Sequence, residues 1–310
     1  MVFHMVEIVE CVPNFSTSDT IAVEQILGEI RKTKKAFLLD HTHDSYYNRL
    51  VVSLVGDKES VLQATLNASV KAIKLIDMRK HKGQHPRLGA VDVVPFIPIK
   101  GVTLEDCVEL ARRFGKNLAE KTGVPVYLYG DAQPKPERRD LDWIREGEYE
   151  RLSEMIAKPG REPDYGPARF VAASGAAIAG AREVMAGFNV NLGTTDLKIA
   201  KKIAKALHAS KGGFSNVKAM AAFIPEQKVT QIGMSIHEFE KTPLYRVFEV
   251  IKVECARYNV PIISAEFCGM APLKAIIDVA SYYLKIDNLT EDRVLEVAAI
   301  NAMEKRRVPE

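Results

Sequence analysis

The sequence predicts an α/β protein, more narrowly an α+β sandwich of two subdomains, each a mixed β-sheet with helices on one face. Three observations lead there. Strand-patterned and helix-patterned segments alternate along all 310 residues. A short motif recurs, NFSTSD at Asn14–Asp19 and NLGTTD at Asn191–Asp196, each time leaving a strand and entering a helix. Beyond that helix both halves continue as strand, strand, helix, strand, so each follows a ferredoxin-like βαββαβ plan. The division is placed at 1–180 and 181–310, and a cleft where the two layers meet is the expected ligand site.

The elements follow in order. VEIVECVPNF reads as a strand, and TSDTIAVEQILGEIRKT as an amphipathic helix capped by Ser18 or Asp19, with Ile21, Ile26, Leu27 and Ile30 on one face. AFLLD and RLVVSLVG are strands flanking the polar turn HTHDSYYN, and SVLQATLNASVKAIKLIDM is a long helix. VDVVPFIPI is a strand whose two prolines place it toward an edge or an end of its sheet. TLEDCVELARRFGKNLAEKTG is a helix stopped by glycine, and VPVYLYG is a strand. The charged, proline-rich run from Asp131 to Gly166 is expected to wrap the surface, with a short helix around Trp143. AREVMAGFNVNL resumes the strand pattern, TTDLKIAKKIAKALHAS is a helix, and KAMAAFIPEQKVTQIGMSIHE is two strands around a polar turn. PLYRVFEVIKVECARYN has proline in its first turn, VPIISAEFCG is a strand, and APLKAIIDVASYYL and the Thr290-capped TEDRVLEVAAINAME close the chain as helices.

Composition narrows the function. A net charge of +3 from 43 basic and 40 acidic residues is far from the basic stripe of a nucleic-acid binder. No run approaches the ~20 apolar residues that span a bilayer. The N-terminus carries an early glutamate and no basic leader, so a signal peptide is not expected. Cys11, Cys107, Cys255 and Cys268 are scattered, which favours a reducing, cytoplasmic setting and four buried small hydrophobes over disulfides or a zinc knuckle.

The chemistry gathers in HKGQHPRLGAVDVVPFIPIKG, from His81 to Gly101. Asp40, His41, His43 and His85 would make a zinc set if they converged. Gly83 and Pro86 break the helical spacing of His81 and His85, however, and Lys82 and Arg87 would repel a dication, so no metal is expected. A histidine beside proline on a partly fixed loop suits acid–base work, and His85 fills that role. His81 suits a plain helix cap. Arg87 offers a fork for a carboxylate. GPARFVAASGAAIAGAREV lacks GxGxxG spacing and a P-loop lysine, but its small residues would let a flat ring approach the backbone.

VECVPNFS, LLD followed by NR, IDMRKHKGQHPRLGAVDVVPFIP, VPVYLYG, DYGPARFVAASGA and FNVNLGT together resemble the formiminotransferase domain of folate metabolism. The matches run in order from about Val9 to Leu284. The resemblance implies a homodimer of two-subdomain chains that moves the formimino group of N-formimino-L-glutamate to N5 of tetrahydrofolate, a co-substrate. It implies His85 as the catalytic histidine, and Gly166, Pro167, Ala168, Arg169, Phe170, Val171, Ala172, Ala173, Ser174 and Gly175 as the folate-contacting stretch. Asp40 and Asn48 are expected to orient His85 and His43 to stand by as a shuttle. Arg49, Lys82 and Arg87 are expected to bind the glutamate carboxylates. The chain is too short for the cyclodeaminase fused to some relatives, so that partner is expected as a separate protein.

Gln84 stands where relatives carry glutamate, Thr42 where they carry a second acid, and Tyr46 and Tyr47 replace small residues. Those departures keep formyl transfer between 5-formyltetrahydrofolate and glutamate as an alternative. A metal-dependent hydrolase and a folate-binding protein without turnover are alternatives of other classes.

Overall fold

A computed structural model describes residues 7–306, so Val6, at the head of the first expected strand, lies outside the described residues. The chain forms two compact units, the first closing at Glu183 and the second opening at Val184.

The first unit runs β1 (Ile8–Cys11), β2 (Asn14–Phe15), α1 (Thr20–Arg31), β3 (Ala36–Asp44), β4 (Arg49–Gly56), α2 (Lys58–Leu75), β5 (Val93–Lys100), α3 (Leu104–Thr122) and β6 (Val126–Gly130). Two short helices, α4 (Leu141–Ile144) and α5 (Glu148–Met155), precede β7 (Ala177–Ala181). The sheet is ordered β2-β4-β1-β5-β7-β6, with β3 beside β4. β1, β3, β4 and β5 pair antiparallel, while β7 lies parallel to β5 and to β6, which makes the sheet mixed.

Local sequence sets the helix ends. Asp19 caps α1 by accepting the Ala22 amide at 2.8 Å, and Asp57 caps α2 in the same way through Ser60. Thr103 and Asp106 form a reciprocal capping box on α3, which Gly123 ends in the left-handed region at φ 71°. Ile21 does not join the buried face of α1: it is 71% exposed, and Ala22 and Val23 pack inward beside Ile26, Leu27 and Ile30.

β5 is an interior strand, so of the edge or end its prolines suggest the edge does not hold, while Pro98 lies near the strand's end. Pro98 pairs with Val9 where the β1 register shifts, so the missing N–H falls at an irregularity of the ladder. β7 escapes sequence reading because AIAGA carries no β-branched or aromatic signal beyond Ile178. Its small residues are needed there: a Cβ on Gly180 would lie 2.3 Å from the Tyr129 ring. The 131–166 run does more than wrap. Ile144, Leu152 and Ile156 pack with Val93, Tyr127, Tyr129 and Ile178, on the sheet face opposite the main core.

The second unit runs β8 (Ala186–Leu192), α6 (Leu197–Leu207), β9 (Val217–Ile224), β10 (Val229–Ile236), α7 (Leu244–Arg257), β11 (Ile262–Phe267), α8 (Leu273–Leu284) and α9 (Leu295–Arg306). Its sheet, ordered β11-β8-β10-β9, is antiparallel throughout, not mixed. Each helical crossover steps over one strand position, so the parallel strands it joins are never neighbours. Thr290 precedes a 3₁₀ turn at Glu291–Arg293 and α9 starts later.

The repeated motif does the same work twice. Thr17 and Thr194 accept the amides of Asp19 and Asp196 at 3.2 and 3.1 Å, and those two aspartates cap α1 and α6. The order β5-β1-β4-β3 in the first unit matches β11-β8-β10-β9 in the second, so β6 and β7 are additions to a shared core. Cys11, Cys107 and Cys255 are buried, but Cys268 is exposed, which corrects the expectation of four buried thiols. Among the described residues no helix is long and apolar enough to cross a membrane.

Candidate active site

The segment between α2 and β5 is held from three sides. The Gln84 amide donates to the Tyr46 carbonyl at 3.2 Å, and a Cβ on Gly83 would stand 2.4 Å from the Tyr47 carbonyl, so this loop lies flat on the β3–β4 turn. The Met78 and Ala90 amides donate to the carbonyls of Ala173 and Ser174, each at 2.8 Å. Gly89 and Gly175 cross there with no room for a side chain, a Cβ on Gly175 falling 2.3 Å from the Leu88 carbonyl. Finally, the Tyr149 amide at the start of α5 donates to the Arg87 carbonyl at 2.9 Å.

A pocket results, lined by Phe15, Ser16, Tyr47, Asn48, Arg49, His81, His85, Arg87 and Asp92. His85 sits in it with Nε2 hydrogen-bonded to Nη1 of Arg49 and its ring edge-on to Tyr47 at 6.5 Å. Burial lowers the His85 pKa to about 2, helped by the positive charges of Arg49, Arg145 and Arg87 and opposed by a hydrogen bond to the Pro86 main chain. A guanidinium N–H can only donate, so Nε2 is the acceptor in the bond to Arg49 and the ring proton sits on Nδ1.

His81 is not a helix cap. Its Nδ1 accepts from Nε of Arg87 at 3.2 Å, which leaves Nε2 to donate to the Asn48 carbonyl at 2.9 Å. With one nitrogen accepting and the other donating the ring is neutral, and burial, with the Arg87 charge, lowers its pKa. Arg87 is buried, and its guanidinium is gripped by Glu148 at 3.2 Å and by Glu150 at 2.9 and 2.5 Å. Burial alone would raise the Glu150 pKa, but the Arg87 hydrogen bonds hold it below the usual range.

The remaining expected residues divide. Asn48, at φ 48°, accepts the Ser18 amide and hydroxyl at 2.9 and 3.0 Å and donates to the Lys82 carbonyl at 2.8 Å. It ties α1, the β-turn and the histidine loop together, and none of its hydrogen bonds goes to His85. Lys82 is exposed and is not among the residues that line the pocket. Asp40 pairs with Ser53 and Asp44 with Arg49, so Asp40 and Arg49 share a sheet face about 13 Å apart along the ladder. His43 pairs with Leu50 and points to the other face, where it stacks on His41 at 6.2 Å. Among the described residues no three His, Cys, Asp or Glu side chains gather as a metal set. Of residues 166–175, Ala173, Ser174 and Gly175 meet the histidine segment, Phe170 packs on Tyr149 at 5.5 Å, the Tyr149 hydroxyl donates to the Ala172 carbonyl at 2.6 Å, and Gly166, at positive φ, lies against Val124 and Pro125.

Sequence reading missed the residues that the 131–166 run delivers. Arg145, just past α4, pairs with buried Asp92, whose other oxygen accepts the Leu88 amide at 3.0 Å. Arg145 is near enough to depress the His85 pKa. The only signal in the sequence was the density of charge in REGEYE, which reads equally well as a solvated face.

Residues 8–182 match the family described as formiminotransferase domain, N-terminal subdomain, and residues 187–305 match the formiminotransferase domain. The chain is 41% identical over 292 residues to a glutamate formimidoyltransferase of Thermoplasma acidophilum, covering 93% of this chain and 96% of that one. It is 40% identical over 285 residues to a glutamate formimidoyltransferase of Streptococcus pyogenes, covering 92% and 95%. Against the formimidoyltransferase-cyclodeaminase of Rattus norvegicus, 40% identical over 292 residues, the match takes 92% of this chain and 54% of that protein. The chain thus spans about half the length of that relative.

Proposed function

The chain belongs to the formiminotransferase family, and from that premise we propose that it transfers the formimino group of N-formimino-L-glutamate to N5 of tetrahydrofolate. N5 attacks the amidine carbon, the new C–N bond gives a tetrahedral intermediate, and the bond to the glutamate nitrogen breaks. One proton leaves N5 and one arrives on the departing nitrogen, so a single group can carry it. His85 is that group, taking the proton on Nε2 and handing it on, a contribution of roughly 10²–10⁴-fold.

The observation that carries this reading is the interlock of the His85 loop with residues 173–175, which puts a lone-pair imidazole beside the stretch expected to meet the pterin. Arg49 and Lys82 are the cations assigned to the donor carboxylates. Arg87, already held by Glu148 and Glu150, is assigned to steadying His81 and the loop. Asp40 and His43 stand off the pocket and are given no step. Tetrahydrofolate enters as co-substrate. The family resemblance supports a homodimer and a place in histidine breakdown, and the scattered cysteines support a cytoplasmic setting.

Purified protein given N-formimino-L-glutamate and tetrahydrofolate should release one glutamate per folate modified. Absence of release, or turnover confined to 5-formyltetrahydrofolate with glutamate, would overturn the reading.

A further inference from the structure

The ring nitrogen that must receive a proton is already covered. An N–H of Arg49 occupies the lone pair of His85 Nε2, which leaves the ring's own proton on Nδ1. A base in that state cannot accept a proton until the guanidinium leaves. We propose that Arg49 is a donor-released cap on His85: a carboxylate of the bound donor draws the guanidinium off Nε2, so the imidazole becomes a working base only when an anionic donor is present.

This inference rests on the proposed reaction and adds a coupling between its binding and chemical steps. The geometry gives the coupling its direction. Arg49 heads β4 directly after the turn that carries Asn48, so a change of rotamer moves the guanidinium while the ladder holds its backbone opposite Asp44. The ring packs edge-on to Tyr47, and its loop is tied to the turn by the Gln84 amide on the Tyr46 carbonyl. The charged and titratable groups facing it are Arg49 from β4, Tyr47 from the turn, Arg145 from beyond α4, Asp92, and Arg87 and His81 from its own segment. Asp92 is paired with Arg145, and Arg87 with two glutamates, so those charges are fixed. Arg49 is the charge in direct contact with Nε2, and the change that removes it from the ring also removes a positive neighbour. Uncovering and increased basicity therefore come together. A neutral donor of the same shape would bind without arming the base, which makes a carboxylate a requirement of chemistry as well as of affinity.

The test reads the ring directly, apart from turnover. Diethyl pyrocarbonate acylates an uncovered imidazole lone pair, and peptide mass spectrometry reports the rate at His85. Arg49→Gln should speed that modification by about 10-fold or more, the share held back by a charged hydrogen bond, and Arg49→Lys should leave it slow. In unsubstituted protein labelled with ¹⁵N-histidine, glutarate should shift the His85 ring resonances and raise the titration midpoint by about 1–3 pH units. The same addition to Arg49→Gln should change neither. Equal modification rates in all three proteins, or a ring that ignores glutarate, would overturn the cap. If glutamate is still released from N-formimino-L-glutamate in that case, the proposed reaction stands without it.

Discussion

The amide of Met78 donates to the carbonyl of Ala173 at 2.8 Å, and the next carbonyl, that of Ser174, takes the amide of Ala90 at the same distance. Two consecutive residues thus pin both ends of the segment that presents His81, His85 and Arg87. The placement of the imidazoles depends on a crossing of main chains, and the first prediction follows from it.

Gly175→Ala should be among the most damaging substitutions in the first unit. The residue has φ 67°, and a Cβ would stand 2.3 Å from the Leu88 carbonyl and 2.7 Å from the Gly89 Cα. Strain and clash together should cost at least about 2 kcal/mol. Urea unfolding should show it as a lower midpoint at an unchanged slope, and turnover at permissive temperature should fall as well.

His85→Ala should lower kcat by roughly 10²–10⁴-fold, the range for a lost acid–base group. Calorimetry should find folate binding within a few-fold of the parent, because residues 166–175 keep their own main-chain hydrogen bonds. Near-normal kcat would remove the proton-transfer role.

Arg138 and Asp164 give an asymmetric pair of outcomes. Arg138 is 1% exposed, bonded to Asp164 at 2.6 Å and to the Glu162 carbonyl at 2.6 Å, with its guanidinium 5.4 Å from the Tyr127 ring centroid. Asp164→Ala strands that charge and also orphans the Leu128 amide, and should cost about 3–5 kcal/mol. Arg138→Met, which removes the charge and keeps the volume, should cost clearly less. Equal losses in chemical denaturation would refute a buried-charge origin.

Acid sensitivity should begin earlier than the carboxylates require. The folded pKa values of His81 and His85 lie below their ordinary 6.5, so below that pH the unfolded chain binds more protons than the folded one. Their contribution is complete above about pH 6.5 and is lost as the pH falls toward the folded values. Asp77 and Asp106, both lowered to about 2, act only below the usual carboxylate range. The thermal midpoint should therefore drop between pH 6.5 and 5, and His85→Gln should flatten that slope.

Much of this was legible in the chain. Alternating periodicity and the NFSTSD/NLGTTD pair gave the doubled plan, because capping and strand exit are local chemistry written in adjacent residues. That His85 sits on a loop and not on a helix was legible too, from Gly83 and Pro86 around it. Its neighbours were not: Arg145, Glu148 and Glu150 lie in a run whose charge reads as solvent-facing until the packing of Ile144 and Leu152 turns it inward. Strand β7 stayed hidden because a central strand that must clear the Tyr129 ring is built from alanine and glycine, the residues with the weakest strand signature.

That strand sets a condition on how the chain can be made. β5 and β6 have no direct pairing with each other, and the slot between them is filled only by residues 177–181. A nascent polypeptide leaving the ribosome must hold both ladders open until the last strand of its first unit emerges, with the histidine loop still unanchored because Ala173 and Ser174 arrive at the same moment. Closure of the sheet and assembly of the pocket are one late event, and a premature stop a few codons short of Ala177 would yield neither.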